Sequence, residues 1–539
     1  MVIALQRSPL SALPPYPQGS ARFCILGFRV MSRNPEQPAD LTSSPVTRFF
    51  VIAFCMALTL PMLARMAVEI EPYGRKPFTT VEKPVAAMTS GDAESYKKLA
   101  NAQFERSWFV REAISTKNKA LYFLFRYIDT NQIISGRDGW LFYKSQFADG
   151  ACLDKRTAQR LANAIATTSS MALSIGIPVT ISMSPDKSVI YPEKVHPRAA
   201  YLSACKDKSS ETLRDALASR VPAFIDHKQP IVENRSRHPS EDLYYQTGTH
   251  WNALGSYYAL RQLSAQLLRQ DEESFPVPLL SEASGKTQHN TDMAEILGLE
   301  KTEPKVRIIA SQLEAIGSAL KLLPGRTVIV HDSFYGSTKI SRFFKSGHSV
   351  VGAVRQQNAT LLKHLAKEEN VRIIVNFIER NFIEKMGYLF LDDPQLLRYA
   401  IDQNRARASK FCRYNDNIDQ LQIQKIRIEG KDRNFRSTST DPYMIVKANA
   451  DVRRRCIKIS IRVDRPARMT VFLPPLHGTK VDQAWEAGRE FNIDLKSGRN
   501  KIDLILPPNI RGSLLRIDPI NHLGPFQIDA LSFGEMTPS

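Results

Sequence analysis

Short apolar strands alternate with amphipathic helices through the middle of the chain, and this alternation constrains the fold more than any other feature. The β-branched apolar stretches that predict strands lie at 177–183, 221–226, 326–331 and 372–377. Helical periodicity fills the intervals between them. Because a helical crossover lets the next strand run in the same direction, such strands form a parallel sheet. We therefore predict an α/β domain with a mostly parallel sheet and flanking helices over residues 96–408.

The pattern changes after about residue 408. Runs such as 456–463 (CIKISIRV) and 501–507 (KIDLILP) are short, and turns separate them. Runs of this kind without helical periodicity are typical of two-layer all-β folds. Residues 425–539 are therefore predicted to form a second domain, a β-sandwich or jelly roll.

One uncharged apolar run near the start of the chain, residues 49–64, lies between Arg48 and Arg65. Arginines that precede such a run favour a cytoplasmic N-terminus. We therefore interpret residues 48–67 as a single transmembrane signal-anchor, although the run is short for a bilayer span. A cleaved signal peptide is the alternative, because it combines the same charged and apolar regions.

The anchor interpretation divides the rest of the chain. Residues 1–47 would be a disordered cytoplasmic segment, and residues 68–95 would link the membrane to a translocated body. Two possible start sites, Met1 and Met31, stay open, since the segment after Met31 resembles an ordinary N-terminus.

The chain is strongly basic, with a formal net charge of +19. Such a charge favours an anionic partner: a nucleic acid, an anionic lipid surface or an acidic polymer. The sequence contains no nucleic-acid-binding motif, and a simply solvated basic surface is the alternative interpretation. No C-x-x-C or H-x-x-x-H spacing is present either, so we expect no metal or other cofactor.

Four cysteines follow the apolar run: Cys152, Cys205, Cys412 and Cys456. An even number in a translocated body favours disulfides. Proximity along the chain favours the pairs Cys152–Cys205 and Cys412–Cys456, one in each predicted domain. Free buried thiols are the alternative.

Two residues are candidates for catalysis. Ser333 follows the predicted strand 326–331 and begins a helical stretch, where helix N–H groups could stabilise an oxyanion. A serine that merely caps a helix has the same pattern. His250 precedes the predicted helix 252–270 and could serve as a general base, because catalytic triads do not depend on the order of residues in the chain.

Five motifs in order identify a family resemblance: GRDGWLFY at 136–143, PDKSVIYPE at 185–193, THWNALGSYYA at 249–259, HDSF at 331–334 and FIERNF at 377–382. Together they resemble the SGNH-hydrolase-like domain of the AlgX/AlgJ family of alginate O-acetylation proteins, over about residues 96–400. The resemblance implies a periplasmic enzyme that transfers acetyl groups to an exopolysaccharide beside a membrane-bound O-acyltransferase. It also implies that residues 425–539 are a carbohydrate-binding-like domain.

Carried over residue by residue, the resemblance makes Ser333 the nucleophile and His250 the general base. The family's triad acid lies two residues before the histidine, where this chain has Gly248. Three explanations stay open: another carboxylate orients His250, a Ser-His dyad acts alone, or catalysis has been lost. The carboxylates considered for the first are Asp332, Asp242, Asp226 and Glu241.

Lys187, Tyr191 and Arg380 also match family positions, which implies contacts to an anionic glycan; a structural role is the alternative. The function predicted is an O-acetyltransferase that acts on an exopolysaccharide through an acetyl-serine. The alternatives are a catalytically impaired glycan-binding or scaffold protein of a polysaccharide complex, and a polysaccharide acetylesterase.

Overall fold

The computed structural model describes residues 115–122, 128, 132–147, 153–286, 288–297, 299, 302–367, 370–414, 422–431, 433–447, 456–473, 485, 487–507 and 514–536. All of them belong to one compact unit, Glu105–Ser539. The predicted cytoplasmic segment, signal-anchor and linker lie outside the described residues. Within the described residues, the search for a helix long and apolar enough to cross a bilayer finds none.

A five-stranded parallel sheet forms the centre of the first region, in the order β4-β3-β9-β7-β8. The strands of this region are β1 (Ile133–Ser135), β2 (Leu141–Tyr143), β3 (Val179–Ser184), β4 (Phe224–Asp226), β5 (Gln288–Asn290), β6 (Thr302–Pro304), β7 (Arg326–His331), β8 (Gly347–Val350) and β9 (Val371–Ile378). β1 pairs with β2 and β5 with β6 in small antiparallel hairpins. The predicted parallel α/β arrangement is confirmed.

Helices cover both faces of the sheet because its strands are apolar on both faces. Val328 and Val330 pack into one hydrophobic cluster, whereas Ile329 between them packs into another, as the two-residue period of a strand requires. The helices are α1 (Lys155–Ser174), α2 (Lys187–Ile190), α3 (Pro197–Arg220), α4 (Lys228–Arg237), α5 (Ala253–Leu268), α6 (Asp292–Leu297), α7 (Ala310–Lys321), α8 (Ser333–Thr338), α9 (Val354–Lys367), α10 (Glu379–Gly387) and α11 (Gln395–Phe411).

The C-terminal region is built from two antiparallel sheets, as the change of pattern predicted. Their strands are β10 (Cys412–Tyr414), β11 (Gln422–Ile426), β12 (Ile428–Lys431), β13 (Asn434–Ser437), β14 (Tyr443–Lys447), β15 (Cys456–Val463), β16 (Ala467–Phe472), β17 (Glu490–Leu495), β18 (Gly498–Ile505), β19 (Leu514–Asp518) and β20 (Gly524–Met536). One sheet has the order β12-β13-β20-β15-β18, with β10 on β20, and the other β11-β14-β19-β16-β17. Their buried side chains share one cluster, as in a sandwich.

The two regions are packed together rather than joined by a free linker. The cluster that contains Val328 also contains buried residues of both C-terminal sheets. Asn404 of α11 donates to the Ile505 carbonyl (2.8 Å) and accepts from the Ile505 N–H (2.7 Å). Thr167 of α1 donates to the Gly488 carbonyl (3.0 Å). The boundary in the sequence is therefore a change of secondary structure within one continuous core.

A disulfide joins Cys412 to Cys456 across this region, which confirms one predicted pair. Cys205 is also disulfide-bonded. Cys152 lies outside the described residues, so its pairing with Cys205 stays a prediction.

Gly488 offers a test of this packing. Its φ is +88°, and an added Cβ would lie 2.2 Å from the Arg160 carbonyl oxygen in α1. We expect Gly488→Ala to lower the free energy of unfolding by about 2–4 kcal/mol, because a positive-φ penalty adds to a backbone clash. Urea-induced unfolding followed by circular dichroism measures the loss.

Gly498→Ala is the matched control, since Gly498 has a φ of +95° and nothing within 4 Å of an added Cβ. Its expected loss is about 1 kcal/mol, from the backbone conformation alone. Equal losses in the two variants would contradict a tight contact between α1 and the C-terminal region.

Candidate active site

Ser333 is presented by a turn that Asp332 organises. β7 ends at His331, and the Asp332 side chain accepts from the Phe334 N–H (2.9 Å) and from the Ile378 N–H at the end of β9 (2.6 Å). Asp332 is thus the N-cap of α8. Ser333, the first residue of the helix, is exposed to solvent. A nucleophile in this position is accessible and lies at the end of a rigid buried strand.

A series of buried side-chain hydrogen bonds connects α8 to the sheet. The Tyr335 hydroxyl lies 2.7 Å from His227 Nε2, and His227 Nδ1 lies 2.7 Å from Gln262 Oε1. Burial lowers the pKa of His227 to about 4, so the ring is neutral near pH 7. If Nδ1 carries the proton donated to Gln262, then Nε2 accepts from Tyr335. Ser182 of β3 donates to the same hydroxyl at 3.3 Å, which ties α8 to the sheet.

His250 lies beside this helix. Its ring centroid is 4.9 Å from that of Phe334, the residue that follows Ser333. Nε2 of His250 is buried and has no hydrogen-bond partner, so it forms no hydrogen bond with Ser333 in this structure. Asn252 caps the next helix, α5, by accepting from two of its N–H groups. The loop thus brings the predicted base against Phe334, the residue after the predicted nucleophile.

The loop that leads to His250 is held by a buried ammonium group. Lys187 Nζ donates to the carbonyl oxygens of Tyr245 (3.1 Å), Gln246 (3.1 Å) and Gly248 (2.7 Å). Burial lowers the pKa of Lys187 to about 7, against the opposing attraction of Glu303 and other carboxylates. The predicted glycan contact at Lys187 is corrected here, because none of this side chain reaches solvent.

The other two predicted glycan contacts are interior as well. Tyr191 is buried, and its hydroxyl accepts from the Leu243 N–H at 2.7 Å. Arg380 pairs with the buried Asp186 and lies over the Phe334 ring, with 8% of its side chain exposed. Both residues therefore support the walls of the site instead of offering a surface for a polymer.

The acid beside His250 is one that sequence reasoning missed. Asp292 Oδ2 lies 3.5 Å from His250 Nδ1. Asp292 begins α6, 42 positions along the chain from His250, and an aspartate at a helix start has the pattern of an ordinary cap. No signal in a single sequence could have selected it.

The carboxylates considered from the sequence have other environments. Asp332 accepts from the Phe334 N–H and from the Ile378 N–H at the end of β9. Asp226 pairs with Arg214 Nε at 3.0 Å. Neither Asp242 nor Glu241 forms a hydrogen bond or ion pair with His250, whose carboxylate contact is Asp292. The set of candidate acids is corrected accordingly.

A basic cleft of about 770 Å³ opens beside α8 and β8. It is lined by His331, Gly336, Lys339, Ser341, Arg342, Phe344, Lys345, Ser346, Gly347, His348, Ser349 and Val351. The lining contains no carboxylate, and among the described residues none forms an ion pair with Lys339, Arg342 or Lys345. The cleft is therefore suited to an anion. A search of the described residues for metal-ligating clusters of His, Cys, Asp and Glu finds none.

A parallel α/β sheet with an exposed serine after one strand and a histidine beside it is the arrangement of an SGNH-hydrolase-like domain. Residues 133–321 match the family model described as "SGNH hydrolase-like domain, acetyltransferase AlgX". The resemblance stated from the motifs is thereby confirmed. The matched segment contains His250 and Asp292, and Ser333 lies just beyond it.

The comparison with solved structures matches proteins from three bacteria. The O-acetyltransferase domain of Pseudomonas putida AlgJ has 16% identity and a TM-score of 0.34, and the match covers 50% of this chain and 98% of that one. Pseudomonas aeruginosa AlgX has 13% identity and a TM-score of 0.31, with 75% and 95% covered. Bacillus cereus PatB1 has 12% identity and a TM-score of 0.31, with 47% and 96% covered. No curated protein sequence matches the chain.

Lys187→Met tests the role of the buried ammonium group. Removing it leaves three loop carbonyls without a donor, so we expect the free energy of unfolding to fall by about 3 kcal/mol or more. Lys194→Met is the matched control, because Lys194 pairs with an exposed Asp138 and its loss should cost below about 1 kcal/mol. Denaturant unfolding compares the two; a Lys187 variant as stable as the control would contradict the structural role.

Proposed function

We propose that this chain is an O-acetyltransferase that acetylates hydroxyl groups of an exopolysaccharide. The family of residues 133–321 supports the reaction class, since its description names an acetyltransferase. The observation that carries the proposal is the position of His250: its ring lies against Phe334, and its unpartnered Nε2 is the nitrogen that could accept a proton from the neighbouring Ser333.

The proposed reaction has two half-reactions. In the first, His250 Nε2 takes the proton from Ser333 Oγ as Oγ attacks the carbonyl carbon of an acetyl donor. The bond to the donor's leaving group breaks, and His250 returns the proton to that group. In the second, His250 removes a proton from a sugar hydroxyl, whose oxygen attacks the acetyl carbon. The bond from that carbon to Ser333 Oγ breaks, and His250 gives the proton to Oγ. N–H groups at the start of α8 would stabilise each oxyanion.

The location and partners of the enzyme form part of the proposal. The Cys412–Cys456 disulfide supports an oxidising compartment. We place the folded part in the periplasm, anchored in the inner membrane by residues 48–67, where a membrane-bound O-acyltransferase would supply acetyl groups. The basic cleft supports an anionic polysaccharide as the acceptor.

A second candidate function is glycan binding without catalysis, as a scaffold in a polysaccharide complex. The observation that favours it is the missing hydrogen bond between Ser333 and His250. Catalytic hydrogen bonds are often long in unliganded enzymes and tighten in the complex with substrate, so this observation carries less weight than the position of His250.

An acetyl-enzyme assay tests the proposed function. The purified protein is mixed with 4-nitrophenyl acetate, quenched in acid and measured by intact mass. We expect one acetyl adduct in the wild type and none in Ser333→Ala. Ser337→Ala is the control on the same helix, since Ser337 donates only to the Phe334 carbonyl, and it should keep the adduct.

Absence of both the adduct and hydrolysis above the Ser333→Ala background would favour the glycan-binding function. If the adduct forms, addition of acidic polysaccharide distinguishes two activities. Transfer of the acetyl group to the polymer indicates a transferase, and release only to water indicates an acetylesterase.

Neutralising the basic cleft should weaken polymer binding. For the triple variant Lys339→Gln, Arg342→Gln and Lys345→Gln, we expect roughly tenfold weaker binding to a polyuronate, from about 0.5 kcal/mol per exposed charge. The difference should shrink as salt is added, because salt screens exposed charges. A triple variant of the exposed Lys155, Arg156 and Lys208 on other helices is the control; an equal loss there would indicate a dependence on net charge alone.

A further inference from the structure

The position two residues before His250 is too crowded for the family's acid unless its neighbours shift. A Cβ added to Gly248 would lie 2.9 Å from the Tyr245 Cβ, 3.2 Å from the Thr291 Cβ and 3.4 Å from Asp292 Oδ1. The first two distances require a shift of neighbouring atoms. The third shows that a carboxylate oxygen from another element already contacts this position.

We propose that Asp292 replaces the missing acid of the triad and is the residue that orients His250. Its Oδ2 faces His250 Nδ1 at 3.5 Å, and His250 Nε2 is left without a partner. This arrangement selects the tautomer with a proton on Nδ1 and a bare, basic Nε2. The catalytic consequence of the inference rests on the proposed function; the orientation of the imidazole does not.

The carboxylate of Asp292 is held in place for this role. Its Oδ1 accepts from the Thr249 N–H (2.7 Å) and the Met293 N–H (3.0 Å), which leaves Oδ2 for the imidazole. Because Thr249 precedes His250, the same carboxylate contacts both the loop backbone and the imidazole ring. Burial alone would raise the pKa of Asp292, but the hydrogen bonds from His250 and Thr249 outweigh it and keep the pKa well below its usual range.

The helix that carries Asp292 is packed against a hydrophobic cluster. Met293, Ala294 and Leu297 of α6 are buried against Leu141 of β2 in a small hydrophobic cluster. Glu303, on the β6 strand that follows, accepts from the Gln246 N–H (2.7 Å) and from the Thr247 N–H. Asp292 and Glu303 therefore support the loop at two points.

The proton balance follows from these contacts. When His250 takes the serine proton on Nε2, both ring nitrogens carry protons and the ring is positively charged. Asp292 stays ionised, stabilises that charge and receives no proton. The proton on Nε2 then passes to the leaving group, and the ring returns to its starting tautomer.

Asp292→Asn tests the inference, because the amide oxygen can still accept from Thr249 and Met293 while the charge is lost. We expect the rate of acetyl-enzyme formation to fall by about 10⁴-fold, as for the same change in a serine protease triad. Asp292→Glu should restore part of the rate. Asp242→Asn is the matched control and should stay within about tenfold of the wild type, since Asp242 does not contact His250.

Nitrogen NMR of protein labelled with ¹⁵N-histidine provides a readout that does not depend on activity. We expect His250 to carry its proton on Nδ1 in the wild type and to lose that preference in Asp292→Asn; Ser333→Ala should not change it. His250→Gln assigns the signal.

The outcomes separate the two proposals. A wild type without activity whose His250 tautomer still depends on Asp292 would overturn the proposed function and support the orientation. An active wild type with an unchanged rate and tautomer in Asp292→Asn would overturn the role of Asp292 alone. An equal loss in Asp242→Asn would also overturn it.

Discussion

The site depends on two opposite buried charges that hold the loop before His250. Lys187 satisfies three carbonyls of this loop, and Glu303 satisfies N–H groups of Gln246 and Thr247. A loop of this kind lacks the regular backbone hydrogen bonds of a helix or sheet. Each of its buried N–H and C=O groups therefore needs a hydrogen-bond partner from elsewhere. The two side chains provide those partners and bring His250 to α8. They also explain why the PDKS motif matters although its lysine never reaches solvent.

The helix that begins with Ser333 is held by a second set of polar contacts. Asp332 joins the ends of two strands, and the chain from Ser182 through Tyr335 to His227 ties the helix to the sheet. Aromatic packing connects the two sets of contacts, since Tyr244, His250 and Trp251 all lie against Phe334. Such an arrangement keeps His250 beside α8 while Ser333 stays open to solvent.

The C-terminal sheets are part of the same body as the α/β region. The shared core, the reciprocal Asn404–Ile505 bonds and the Thr167–Gly488 bond hold them in a definite position. A glycan bound by both regions would therefore meet one preformed surface, and little conformational entropy would be lost in aligning the two.

The sequence alone determined the parallel α/β unit, the sheet-rich C-terminal region and the Cys412–Cys456 pair, because local periodicity and cysteine spacing carry that information. The strand before Ser333 was predicted at its observed bounds, whereas the one at 221–226 shortened to Phe224–Asp226. Only the tertiary structure decided which residues surround His250. It turned Lys187, Tyr191 and Arg380 inward and brought Asp292 from a separate helix into contact with the imidazole. The physical reason is that a triad is defined by distances in space, and no local pattern of a single chain encodes a contact across 42 residues.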